Sequence, residues 1–153
     1  MCPVWQGVGS LISAALLAAG CGNPDHTGQN PVVTGVAVNR SDVTGVPDLR
    51  FTSGSVLFVP VDRAGGLAVA PFSLDAQQVS RLGVLVATIG QDGRFPIPGT
   101  GSYLVCLADV FADHSPGPPY SVVGCAEADL NGGAVTVSNG EGGVEVTGIH
   151  PPG

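Results

Sequence analysis

Beyond residue 31 the chain is a succession of short apolar or alternating runs, each closed within a few residues by Gly, Pro, Asn or Asp. Side chains of a strand alternate between two faces, so such runs predict strands near 32–38, 55–61, 83–89, 94–97, 102–109, 120–128, 134–138 and 143–149. No segment sustains the 3.6-residue period of an amphipathic helix. Residues 64–80 are harder to place: Ala70-Pro71-Phe72 fits an edge strand and Leu74 to Val79 a single helical turn, inside what otherwise reads as a connection. Gln91-Asp92-Gly93 and Asn139-Gly140 supply residues that tolerate positive φ, as tight hairpins require, so the strands flanking each should be antiparallel neighbours. About seven short strands at this spacing predict an all-β fold, a single two-sheet antiparallel β-sandwich, because each sheet must bury its apolar face against something.

The first thirty residues follow a different pattern. From Val8 to Ala19 the chain is apolar and uncharged, about the length of the hydrophobic stretch of an export signal. It is short of the roughly 20 residues that span a bilayer as a helix. The run closes on Leu17-Ala18-Ala19-Gly20-Cys21, which resembles the lipobox of bacterial lipoproteins, where small residues admit the signal peptidase and the thiol accepts a diacylglyceryl group. That resemblance implies that Cys21 is the lipidated first residue of a mature chain, held by acyl chains such as palmitate to the extracytoplasmic face of a bacterial cell membrane. An ordinary secretory signal with an incidental Cys21 is the competing reading. Residues 22–31, GNPDHTGQNP, lack apolar periodicity and hold several turn formers, as a flexible tether does. The expected organisation is a signal peptide over 1–20, a lipidated Cys and tether over 21–31, one β domain over 32–149 and a tail over 150–153.

Composition narrows the partners. A length of 153 residues suits one domain with one core, and 44% hydrophobic against 11% charged residues excludes a charged disordered chain. The net charge is −7, and the positive residues are single, dispersed arginines at Arg40, Arg50, Arg63, Arg81 and Arg94. Nucleic acid demands clustered positive charge, so it is not an expected ligand. The same argument excludes electrostatic attachment to anionic lipid, leaving the acyl chains as the membrane contact.

With Cys2 in the signal and Cys21 at its end, Cys106 and Cys125 are the two cysteines of the folded domain. An exported chain meets an oxidising compartment, where a disulfide is the default and two buried free thiols the alternative. If the two face each other across an antiparallel pair, register sets Val105 opposite Ala126, Tyr103 opposite Ala128, and Leu107 opposite Gly124, large against small. The other face then carries Leu104 and Cys106 against Cys125 and Glu127, so the bridge should lie on the more polar side of its sheet.

Thr88, then Asp92-Gly93-Arg94-Phe95-Pro96-Ile97, then Pro98-Gly99-Thr100-Gly101-Ser102-Tyr103-Leu104 resembles the carboxypeptidase regulatory-like domain, a prealbumin-like (transthyretin-like) sandwich. Val33-Thr34-Gly35-Val36, Gly45-Val46-Pro47 and Gly54-Ser55-Val56-Leu57 are similar to that family's opening strands and turn, so the likeness covers roughly residues 33–110. Ile89-Gly90 stands where the family usually has an Asp after the Thr, and residues 64–82 are longer than their counterpart. The resemblance implies a prealbumin-like type and a role as a folding support, adhesion module or carbohydrate contact, without catalytic residues of its own.

Candidate chemistry is sparse. A blue-copper site needs a Met that the domain lacks, and His26, His114 and His150 have no ligand spacing for zinc. Ser115, His114 and Asp109 or Asp113 are adjacent on one loop, where a nucleophile, base and orienter rarely converge. Asp109 and Asp113 offer hard oxygens to a calcium ion, although carboxylates of such a loop are more often simply solvated. Asp129-Leu130-Asn131-Gly132 superficially looks like a calcium loop and fits a hairpin turn better. No enzyme, cofactor or metal site is therefore expected. Two readings stay open: a displayed binding or adhesion module for a protein or glycan, or a structural lipoprotein that supports or spaces an envelope complex through an exposed sheet edge. Trp5 leaves with the signal, which removes the best glycan platform and favours a protein partner. The expected contact is the loop over 111–120, through Phe111, Asp113, His114, Pro118 and Tyr120, where prolines limit the freedom lost on binding. In the competing reading both aromatics fold back onto the sandwich and the prolines only stiffen a long connection.

Overall fold

The computed structural model describes residues 33–41, 43–67, 69–140 and 143–148. Strands make up 49% of it and helix 12%, which places the domain in the all-β class. The strands are β1 (Thr34–Asn39), β2 (Leu49–Arg50), β3 (Ser55–Pro60), β4 (Phe72–Leu74), β5 (Leu85–Thr88), β6 (Arg94–Pro96), β7 (Gly101–Ala108), β8 (Tyr120–Leu130), β9 (Val135–Gly140) and β10 (Gly143–Gly148). A 3-10 helix (Val61–Gly66) follows β3, and an α-helix, α1 (Ala76–Leu82), lies between β4 and β5. The first sheet runs β10-β9-β1-β2, with β6 also paired to β1, and the second runs β4-β8-β7-β3-β5. β4 lies at a sheet edge, as expected for Ala70-Pro71-Phe72, two residues further along, while β2, which was not expected, has two residues, too few for a periodic signal.

The sheets pack face to face around one main core. Val56 and Phe58 of β3, Ala87 of β5 and Val105 and Leu107 of β7 meet Ala37 of β1, Phe95 of β6, Val135 and Val137 of β9 and Val144 of β10. The Phe58 ring sits 6.2 Å from Phe95 and 5.9 Å from Tyr103, the latter edge-to-face. Gly35 lies directly opposite Phe95, and a β-carbon there would collide with the Phe95 ring. The ring thus fills the space that any other residue at 35 would take.

Three connections differ from expectation. Gln91-Asp92-Gly93 makes a tight turn, with the Gly90 N–H donating to the Arg94 carbonyl at 2.8 Å and Gly93 at φ 78°. Yet β5 belongs to one sheet and β6 to the other, so the turn carries the chain across the sandwich instead of closing a hairpin. The Asp129 to Gly132 segment, expected as a hairpin turn, likewise leads from β8 into β9 of the opposite sheet. This second crossing brings β9 alongside β1 in parallel, Val36 against Thr136 and Asn39 against Asn139, so the sandwich is not purely antiparallel. Only a short turn forces neighbours antiparallel, and no turn joins β1 to β9. β9 and β10 are antiparallel as expected, but Gly140 faces Gly143, so Asn139 and Gly140 lie in the strand and the chain reverses after them.

Part of the second sheet is buried on both faces. Leu57 and Val59 of β3, Cys106 and Ala108 of β7 and Val122 of β8 form a smaller cluster with Leu74 and Val84, under Ala64, Leu67, Phe72, Val79 and Leu82. Residues 61–84 are therefore a cover for the outer face, and the unbroken apolar run 56–59 is what two-sided burial requires. The cover includes α1, two turns instead of the single turn expected. Asp75 accepts from the Gln78 N–H while the Gln78 side chain accepts from the Asp75 N–H, and Gly83 ends the helix at φ 65°.

Candidate functional site

Cys106 and Cys125 are joined, with Cα atoms 4.0 Å apart. The register around them sets Tyr103 against Ala128, Val105 against Ala126 and Leu107 against Gly124. The bridge lies on the more polar face of its sheet as expected, the face that also carries the exposed Glu127 and Asp129, yet Cys106 itself is fully buried in the outer apolar cluster, because the 61–84 cover closes over it. The bond ties the two longest strands together just below the loop they support, residues 109–119.

That loop is held by Asp109. Only 2% exposed, Asp109 adopts φ 56°, a left-handed conformation that Asp tolerates better than most side chains. Its Oδ1 accepts from the Ser121 N–H at 2.8 Å and its Oδ2 from the Gly117 N–H at 3.2 Å. Its own N–H donates to the Ser121 carbonyl at 3.0 Å, and its carbonyl accepts from the Ala112 N–H at 3.3 Å. Both carboxylate oxygens are thus engaged by the loop backbone. The same commitment separates Asp109 from His114, whose Nδ1 meets the Ser115 carbonyl at 3.0 Å. Among the described residues no hydrogen bond joins His114 to Asp109 or Asp113, and no group of three potential metal ligands gathers.

Of the five expected contact residues, three come together. Phe111, Asp113 and His114 line an open cleft of about 360 Å³ with Asp109, Ala112, Ser121 and Val123. Phe111 is 60% exposed and rests edge-on against Phe51, ring centroids 5.6 Å apart, so one side of the ring is seated and the other faces water. Pro118 is exposed but stands apart from the cleft. Tyr120 opens β8 and packs half-buried against the outer apolar cluster, on the other side of the sheet. The fold-back reading therefore holds for Tyr120 and not for Phe111. Asp109 went unread as the loop's anchor. The available signal was an Asp at a strand end ahead of a Pro- and Gly-rich loop.

Cys21, the signal over 1–20, the tether with His26, and the tail with His150 lie outside the described residues. Comparison with models of known protein families, with curated proteins and with solved structures returned no match.

Proposed function

We propose that the protein is a bacterial cell-envelope lipoprotein, anchored by acyl chains on Cys21 to the extracytoplasmic face of the cell membrane, whose β domain is a non-catalytic module that binds a protein partner. The observation that carries this reading is the Cys106–Cys125 disulfide joining β7 to β8. Such bonds form in oxidising compartments, which agrees with an apolar run ending on Leu17-Ala18-Ala19-Gly20-Cys21. The domain is of prealbumin-like type in this reading. Its support is the division of eight strands into β5-β3-β7-β8 and β6-β1-β9-β10, with β1 and β9 the one parallel pair among the described residues. The contact surface is the cleft at Phe111, Asp113 and His114, an apolar ring beside polar groups on a loop pinned from below by Asp109.

Mass spectrometry of the protein expressed in a bacterium tests the anchor. A diacylglyceryl thioether on Cys21 with residues 1–20 removed, and loss of membrane fractionation in Cys21→Ser, are expected. An unmodified Cys21, or cleavage elsewhere, would refute the lipoprotein reading. For the module, a partner recovered with the intact protein should lose affinity for a triple Asp113→Ala, His114→Ala, Pro118→Ala variant. The second reading, a structural lipoprotein that supports an envelope complex through a sheet edge, is favoured by one specific observation, the open side of β8.

A further inference from the structure

Among the described residues, β8 is paired on both sides for only part of its length. Along one side β7 accompanies it from Leu130 to Val122, whereas along the other β4 reaches only Val122, Ser121 and Tyr120. Among the described residues no strand pairs with residues 123–130 on that outer side. β4 begins only at Phe72, directly after Pro71, so its pairing with β8 ends at Val122.

The backbone polarity of this edge follows from the disulfide. Cross-strand partners only 4.0 Å apart at Cα are a non-hydrogen-bonded pair, so the N–H and C=O of Cys125 point away from β7. Alternation extends this to Glu127, opposite Leu104, and Asp129, opposite Ser102. Donors and acceptors of three residues therefore face the open lane, a ready template for another strand.

Side chains grade along it. At the Cys125 end lies an apolar groove of about 440 Å³, lined among others by Leu67, Phe72, Leu104 and Val144, with Val69 standing 92% exposed at its rim. At the other end Glu127 and Asp129, both exposed and on the same face as Cys125, border a second cleft with Ser102, whose Oγ donates to Asp129.

We propose that the open edge of β8 takes up an extended segment of a partner protein as an added antiparallel strand, reading basic-x-basic-x-apolar from its N-terminus, with the basic residues opposite Asp129 and Glu127 and the apolar residue opposite Cys125 in the groove. Antiparallel is the polarity β4 already has in this lane. Directly opposed residues of an antiparallel pair share a face, so one segment satisfies both acids and the groove. Charge argues against a second copy of this chain as occupant: two β8 strands related by an axis at Glu127 set its carboxylates opposite each other, on a molecule of net charge −7. This surface meets the Phe111 cleft only at Val123, which lines both, and the proposal depends neither on Phe111, Asp113 and His114 nor on the lipid.

The test uses the full chain and a synthetic peptide, acetyl-Arg-Thr-Arg-Thr-Val-Thr-Val-amide. Binding is followed by fluorescence anisotropy of a labelled peptide and by amide hydrogen exchange. In the free protein the N–H groups of Cys125, Glu127 and Asp129 should exchange fast, and saturating peptide should slow them by at least about tenfold. A Glu127→Lys, Asp129→Lys double variant should bind at least about tenfold more weakly, two attractive cross-strand pairs having become repulsive. N-methylation of both Arg and the first Val of the peptide, whose N–H groups face β8, should abolish binding, while N-methylation of the Thr residues, which face outward, should not. The Asp113→Ala, His114→Ala, Pro118→Ala variant should bind the peptide as the parent does, so failure of the loop reading and failure of this one are distinguishable. Slow exchange of the three N–H groups in the free protein, protection that appears only with rising protein concentration, or equal binding of the two N-methylated peptides would each overturn the proposal.

Discussion

Replacing Asp109 should cost the domain more stability than any other change in the loop between β7 and β8. The Asp109→Ala variant loses two hydrogen bonds to a buried carboxylate, from the N–H groups of Ser121 and Gly117, and keeps a φ of 56° without a side chain suited to it. Hydrogen bonds to charged groups contribute about 1.5–3 kcal/mol each. The Gly117 bond is long and only part-buried, so the pair is worth about 3 kcal/mol here. A left-handed conformation at Ala adds about 1 kcal/mol, for a total near 4 kcal/mol. Asp109→Gly relieves the backbone and should lose about 3 kcal/mol, the hydrogen-bond share alone. Asp109→Asn keeps one acceptor and tolerates the conformation, so a loss of about 1–2 kcal/mol is expected. Urea unfolding followed by far-ultraviolet circular dichroism measures all three, provided the denaturant slope stays constant across the series. The order Asn, Gly, Ala is the content of the prediction. Asp109→Ala within about 1 kcal/mol of the parent, or Gly costing more than Ala, would show that the carboxylate does not hold the loop.

Two further perturbations probe the core. Replacing both Cys106 and Cys125 by Ala opens a loop whose ends are 19 residues apart, a loss of about 3 kcal/mol in the chain-entropy model, and the urea midpoint should fall accordingly; an unchanged midpoint would contradict it. Gly35→Ala places a β-carbon in the Phe95 ring and should destabilise by about 1–3 kcal/mol as that ring shifts off Phe58. Removing the obstruction as well, in Gly35→Ala with Phe95→Leu, should cost less than the sum of the two single changes, which a double-mutant cycle measures.

Much of this molecule is written locally. Alternation and turn residues place eight of the strands within two or three residues of where they lie, because strand periodicity and Gly or Asp turn chemistry act over short stretches of chain. The Cys106–Cys125 register was legible for the same reason: once two residues are opposed, period two settles every pair beside them. α1 was legible only as a single turn over Leu74 to Val79; Asp75 with Gln78, and Gly83, set its bounds in the structure. What the residues by themselves leave undecided is which strands become neighbours. A tight turn at Asp92-Gly93 serves a hairpin or a crossing equally well, and only the packing of Phe95 over Gly35 and against Phe58 draws β6 into the sheet opposite β5. The parallel pairing of β1 with β9, the cover of residues 61–84 that buries Cys106, and the lane along β8 that no described strand fills all depend on residues far apart in sequence. Such contacts carry no local pattern, since they arise from each sheet finding an apolar surface to bury against, and that surface exists only once the rest of the chain has folded.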